Sequence, residues 1–384
     1  MIELVLYSFL IFIYIFYRIQ RDIFIVSFVG QEATSLSKCI SIILIPLFMI
    51  IQSYCVKKIG RKQTWTLFVS LFIVILTLIE FNLIKTFSFN ENVQFGSLWI
   101  KLINNFHILL LYVSSEFFAV MISVQFWSVV NCNILQNKND GFSNVFIFGQ
   151  FGLLFAAFLS IFYTKKLLPI ILGLICTIPL FLALPISTQE KKSQKKENKI
   201  SNDILTIPLI TMICGLIAGV LDPFVKFNAI LNYGKEKYTI IFPCIFIAQS
   251  IFSIIMGIIL KNSRNFQLTP IFLVFASLTD FVFYTNKYLF FLSLLVQYLG
   301  FKSLKYSSHG PNKEKYLSLQ ENMESILYYE GFAGRFGKNG MAILLSLLFS
   351  FGFKWNSLGL IPIFIILFLS CLWLFLSFRI RIKS

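Results

Sequence analysis

Acidic residues are scarce in this chain: 17 of its 384 residues are Asp or Glu, and all charged residues together make up 13%. Soluble domains run near 25% charged, so the composition argues against a water-soluble enzyme. Histidine is scarcer still. His107 and His309 are the only two, too few and too far apart for a metal centre. The seven cysteines (Cys39, Cys55, Cys132, Cys176, Cys214, Cys244 and Cys371) form no C-x-x-C pair, and most lie in apolar runs. An odd, scattered set excludes a disulfide framework and a cysteine metal site. No cofactor is expected.

Apolar residues are abundant instead, at 57%, with a mean hydropathy of +0.81. The chain reads as an all-α polytopic membrane protein. Its net charge of +16 does not point to nucleic acid, because the basic residues gather in short connections between apolar spans, where they record topology. Leu4–Tyr17 has the apolar character of a signal-peptide core. Met1-Ile2-Glu3 lacks a positive n-region, however, and no small-x-small site follows. It is the first half of a spanning helix.

A helix needs about 20 apolar residues to cross the hydrocarbon core. Twelve spans are predicted, at 4–29, 39–56, 64–84, 106–130, 144–162, 167–186, 204–226, 240–260, 268–284, 286–301, 337–352 and 358–378. Placing both termini in the cytoplasm puts most basic residues on the cytoplasmic side, including Lys57, Lys58, Arg61, Lys62, the lysines of 191–199, those of 302–338 and the C-terminal Arg379, Arg381 and Lys383. The polar stretch Glu190–Asp203 divides the chain, giving an N-terminal half over 1–186, a cytoplasmic linker over 187–203 and a C-terminal half over 204–384. A weak repeat agrees: Gly149-Gln150-Phe151-Gly152 opens the fifth span and Gly334-Arg335-Phe336-Gly337 leads into the eleventh. Two six-helix halves with a midplane site between them are the plan of the major facilitator fold. Gly60-Arg61-Lys62 resembles the basic turn of that superfamily.

Ionisable residues inside spans cost about 2.5–3.5 kcal/mol each on insertion scales and usually face a cavity or a partner. Arg18, Arg21 and Asp22 lie at i, i+3 and i+4 of the first span and share one helix face; the alternative is a helix that ends at Tyr17. Asp222 and Lys226, flanking Pro223, are spaced for an intrahelical pair in the seventh span. Glu116 sits in the fourth with no adjacent base, suited either to carry protons or to pair with a distant cation. Glu80 and Asp280 lie within or near spans and have no assigned role. Before the eleventh span come Arg335, Lys338 and the glycines 331, 334 and 337. Glycine allows close backbone approach, and a helix N-terminus favours anions; ordinary topological flanking is the alternative. Together these residues predict a cationic cavity for an organic polyanion.

At these positions the chain resembles the nucleotide transporter family, the ATP/ADP antiporters of obligate intracellular bacteria, plastids and microsporidian parasites. Arg18-Ile-Gln-Arg21-Asp22 resembles its first-helix basic run ending in Lys-Asp. Ser115-Glu116, Phe126-Trp127, Asn131 and Phe148-Gly149-Gln150-Phe151-Gly152 resemble its fourth-to-fifth helix block. Asp222-Pro-Phe-Val-Lys226 resembles its Glu-x-x-Trp-Lys element. Lys305-Tyr306-Ser307, Pro311-Asn312-Lys313-Glu314 and Gly334-Arg335-Phe336-Gly337-Lys338-Asn339-Gly340 resemble Lys-Tyr-Ser, Pro-Thr-Lys-Glu and Gly-Arg-Leu-Gly-Lys-Ser-Gly, in order and spacing.

The resemblance implies an ATP:ADP antiporter, not an enzyme, with ATP and ADP as substrates and no obligate protein partner. It implies a membrane at the surface of an intracellular parasite or bacterium, or in an organelle. Arg21, Glu116, Asp222 and Lys338 would stand at the family's charged positions, with Arg for Lys at 21 and Asp for Glu at 222; the full candidate set adds Arg18, Asp22, Lys226 and Arg335. Two rivals stay open. One is a proton-coupled net importer of nucleotides or other organic anions, with Glu116 as proton carrier. The other is a membrane-embedded enzyme or receptor.

Overall fold

The computed structural model describes residues 2–30, 33–84, 97–129, 141–184, 202–260, 265–318, 333–334, 336–341, 343–345 and 358–378. Among them all regular structure is helical. The helices are α1 (Ile2–Phe28), α2 (Ala33–Ile59), α3 (Arg61–Glu80), a short α4 (Ser97–Asn104), α5 (Phe106–Met121), α6 (Gly141–Phe162), α7 (Leu168–Leu182), α8 (Asn202–Tyr233), α9 (Lys235–Ile259), α10 (Leu268–Phe283), α11 (Lys287–Leu304), α12 (Gly310–Ser318) and α13 (Ile361–Ser377). Residues 336–341 and 343–345 are also helical, in the eleventh predicted span. The expected linker lies outside the described residues up to Ser201.

Among the described residues six helices are long and apolar enough to cross a membrane, and three shorter ones are apolar. Their outer faces carry large bare side chains such as Ile43 at 74% exposure and Phe155 at 67%. Such faces are stable only against lipid. Glu80 accepts a hydrogen bond from the Leu167 amide at 3.0 Å, tying the end of α3 to the start of α7. Between α2 and α3 the chain reverses at Gly60, whose φ of 86° favours glycine. Lys62 beyond it donates to the Leu182 carbonyl at 2.6 Å, and Arg61 to Ser128 Oγ.

Most of the buried apolar side chains fall into two large clusters, beside a small third one. One runs from Leu6 to Leu184 with Tyr238, Phe242 and Phe246 of α9; the other runs from Ile210 to Leu376. The two parts repeat each other in detail. A Cβ on Gly152 would lie 1.9 Å from the Ser8 carbonyl oxygen and 3.0 Å from the Phe12 nitrogen. One on Gly337 would lie 2.1 Å from the Met212 carbonyl oxygen and 3.1 Å from the Leu216 nitrogen. A shift of 204 positions carries Ser8 to Met212 and Phe12 to Leu216, so the glycine repeat in the sequence is a repeated backbone-to-backbone contact. Both halves also contain a π turn, Ile122–Phe126 after α5 and Lys305–His309 after α11.

The structure corrects one stretch. Residues 302–318 were expected in a cytoplasmic connection, yet α11, its π turn and α12 run on without a break from Lys287 to Ser318. Lys302, Lys305 and Lys313 are therefore helical residues of the interior and do not mark topology. The apolar pattern stops at Phe301 because the following turns face other polar groups, not because the helix ends.

Candidate functional site

α1 continues past the Arg18–Asp22 triplet to Phe28, with Ile23 and Ile25 buried. The helix therefore runs six residues beyond Asp22 and does not end at Tyr17, and the three charges are held in the interior, at most 7% exposed. Arg21 donates from Nη1 to Glu116 Oε1 at 2.7 Å and to Ser115 Oγ at 2.5 Å. Its Nε reaches Asp22 Oδ1 at 3.4 Å, and its guanidinium lies 4.2 Å from the Tyr112 ring centroid. Glu116 also accepts from Lys338 Nζ at 3.4 Å. Of the two options left open for Glu116, pairing with distant cations is the one observed. Arg335 lies outside the described residues.

Asp222 and Lys226 do not pair with each other. Asp222 Oδ2 accepts from Arg18 Nη2 at 2.6 Å, while Lys226 Nζ donates to Asp22 Oδ2 at 2.5 Å. The i, i+4 spacing stacks each pair of charges on one face of its helix. α1 presents cation then anion and α8 presents anion then cation, so the two faces meet with opposite signs in register. Both contacts join residues 204 positions apart, the offset that also relates the glycine contacts.

Three carboxylates thus each bridge two cations. Asp22 holds Lys226 and Arg21, Glu116 holds Arg21 and Lys338, and Asp222 holds Arg18 and Lys302, the last at 2.8 Å from Oδ1. Lys302 was not among the predicted site residues. The available signal was the resemblance of the neighbouring Lys305-Tyr306-Ser307 and Pro311-Asn312-Lys313-Glu314 segments, which was read only as a family mark.

A cavity of about 270 Å³ abuts this ionic layer on the side of the α1 N-terminus. Along α1 it is lined by Tyr7, Ile11, Tyr14 and Arg18; Arg21, Asp22, Lys226 and Glu116 do not line it. Its cations are Arg18, Lys302, Lys305, Lys313 and Lys338, and its carboxylates are Asp222 and Glu314. Glu314 pairs with Lys313 at 3.0 Å. Part of the wall is aromatic, with Trp127 stacked on Phe146 at 5.0 Å and Tyr7 edge-on to Trp127 at 5.2 Å. Beyond the ionic layer, Ile25, Ala33, Ile108 and Tyr112 are fully buried in one apolar plug.

Among the described residues no group of His, Cys, Asp and Glu is arranged to hold a metal ion. Asp280, fully buried in α10, accepts from Ser293 Oγ at 2.5 Å and lies apart from the cavity.

No known family profile matches the chain, and neither does any curated protein. Solved structures do match along nearly its whole length. The xylose transporter XylE from E. coli, in a partially occluded inward-open conformation, has a TM-score of 0.63 at 14% identity, over 99% of this chain and 97% of that one. A bacterial homologue of the iron transporter ferroportin, inward-facing, has 0.57 at 13% identity, over 98% of each. The nucleoside transporter NupG has 0.52 at 12% identity, again over 98% of each. XylE is described as a major facilitator superfamily protein. The chain therefore has the fold of these transporters, an all-α polytopic membrane architecture.

Proposed function

We propose that the chain is a membrane transporter that exchanges ATP for ADP by alternating access. One observation carries this reading: among the described residues, Arg18, Lys302, Lys305, Lys313 and Lys338 converge on one cavity whose carboxylates are Asp222 and Glu314. With the adjoining layer included, eight cations (Lys38, Arg21 and Lys226 added) face four carboxylates (Asp22 and Glu116 added). Buried charge in excess is costly unless it is paired, so the site suits a polyvalent anion. Phosphate oxygens fit the lysine wall as point-charge partners. The aromatic wall of Tyr7, Trp127 and Phe146 offers ring faces to a planar base. The resemblance of the charged segments to the ATP/ADP antiporters points to the same ligand.

The ion pairs explain exchange. An entering polyphosphate draws Lys302 from Asp222 and Lys338 from Glu116, leaving carboxylates that favour re-pairing as soon as the ligand departs. The empty site therefore relaxes to the closed lattice, and reorientation is favoured only when a second anion occupies it. In this reading Glu116 serves as a counter-ion held between Arg21 and Lys338 and carries no proton. The cavity lies on the side of the α1 N-terminus, the cytoplasmic face if both termini are cytoplasmic as the positive-inside rule predicts. The host membrane is that of an intracellular parasite or bacterium, or of an organelle.

The deciding experiment is uptake of labelled ATP into proteoliposomes loaded with ADP or left empty. Fast uptake that requires internal ADP is expected. Uptake into empty vesicles driven by a pH gradient would replace exchange with proton-coupled import, and no uptake in either case would remove ATP as the substrate.

A further inference from the structure

One cation of the charge network has been counted above but given no role. Lys38 of α2 is 5% exposed. Among the described residues it makes no ion pair or hydrogen bond, while Arg18, Arg21, Lys226, Lys302 and Lys338 all hold carboxylates. The charged groups whose fields reach it are Lys338, Asp222, Lys226 and Asp22, the members of the ionic layer contributed by α1, α8 and the helical segment around residue 338. Lys38 does not line the cavity.

Its depth is informative. Lys38 lies five residues in from Ala33 and Asp22 six residues back from Phe28. At 1.5 Å per residue these are about 7.5 and 9 Å from the α1–α2 turn. Lys38 therefore sits about level with Asp22, which like it does not line the cavity, on the side of the apolar plug of Ile25, Ala33, Ile108 and Tyr112. An ammonium buried without an anion is expensive in a membrane interior, and such residues mark ion or substrate paths.

We infer that Lys38 binds the transported anion when the site opens to the face bearing the α1–α2 turn. From that face the other described cations of the layer must first release a carboxylate, whereas Lys38 can donate to phosphate oxygens at once. It is the counterpart of Lys302, which meets the anion from the cavity side. The two faces thus present different cations to the same ligand, and affinity on each face is set by its own lysine. The inference rests on the reading of the site as an anion path, not on which nucleotide is carried.

The experiment uses cysteine-free protein carrying Lys38→Cys or Lys302→Cys in intact cells and in inside-out vesicles, treated with a membrane-impermeant maleimide. Lys38→Cys is expected to react only from the α1–α2 face, and Lys302→Cys only from the other. Inorganic tripolyphosphate on the α1–α2 face should slow labelling of Lys38→Cys at least fivefold. Labelling of both from one face, no labelling of Lys38→Cys from either, or indifference to tripolyphosphate would overturn the inference. In ATP exchange, Lys38→Gln should raise the half-saturating concentration on the α1–α2 face about tenfold, the loss expected of one charge-assisted contact. The opposite face should be unchanged and Lys38→Arg should restore affinity; an equal change on both faces would count against it. If the wild type moves no ATP while tripolyphosphate still protects Lys38→Cys, the nucleotide reading fails and the role of Lys38 stands.

Discussion

Arg18 and Asp222 meet at 2.6 Å across 204 residues of sequence, and Lys302 meets the second oxygen of the same carboxylate at 2.8 Å. Asp222 thereby ties α1 of one half to α8 and α11 of the other at the end of the cavity. Removing a partner from a buried ion pair costs about 3–5 kcal/mol, because a charge is left uncompensated. Asp222→Asn strands two cations and Lys302→Gln strands none. Thermal unfolding of the purified protein should therefore fall further for Asp222→Asn than for Lys302→Gln. The reverse order would mean that the pairs do not hold the halves together.

Lys302 and Lys305 are expected to matter for uptake as much as the charges first singled out from the sequence. ATP uptake in Lys302→Gln and Lys305→Gln should drop at least tenfold with expression retained, since each loses a charge-assisted contact of about 1.5–3 kcal/mol. Wild-type uptake in both would remove the lysine wall from the substrate path.

The glycine contacts predict a sharp contrast between near neighbours. A Cβ at Gly337 would fall 2.1 Å from a backbone oxygen, whereas one at Gly340 meets nothing within 4 Å. Overpacking typically costs about 1–3 kcal/mol, and rigid backbone on both sides places Gly337→Ala at the upper end. The yield of monodisperse protein in detergent should collapse for Gly337→Ala and for its equivalent Gly152→Ala, and stay near wild type for Gly340→Ala.

Competition should follow ligand charge. With five cations and two carboxylates on the cavity wall, inhibition of labelled ATP uptake should rise from phosphate to pyrophosphate to tripolyphosphate. Adenosine should inhibit weakly, as it reaches only the aromatic wall. Equal inhibition by adenosine and ATP would show that the base, not the phosphates, dominates recognition.

Glu116 separates exchange from proton coupling. If the carboxylate shared by Arg21 and Lys338 acts only as their counter-ion, a protonophore should leave ADP-driven ATP uptake unchanged. Glu116→Gln should lower uptake at every external pH by leaving Arg21 and Lys338 without their counter-ion. Uptake that follows the pH gradient and becomes pH-independent in Glu116→Gln would restore the proton-carrier role.

Membrane class, the positions of most helices and the residues worth attention were legible in the sequence for one reason. Lipid demands long apolar helices and makes each interior charge costly, so Arg18, Arg21, Asp22, Glu116, Asp222 and Lys226 stand out against their spans. The glycine repeat was legible too, although its meaning as matched contacts on Ser8 and Met212 required the packed helices. What the tertiary structure alone decided is the pairing. Spacing at i, i+4 puts Asp222 and Lys226 on one face but leaves open whether they bind each other or a facing helix. The choice depends on α1 presenting Arg18 and Asp22 in the opposite order of charge. The same holds for Lys302 and Lys38, which read as loop-flanking lysines along the chain. Only the packing of α11 and α2 against the ionic layer takes them out of water, because burial is set by neighbours distant in sequence.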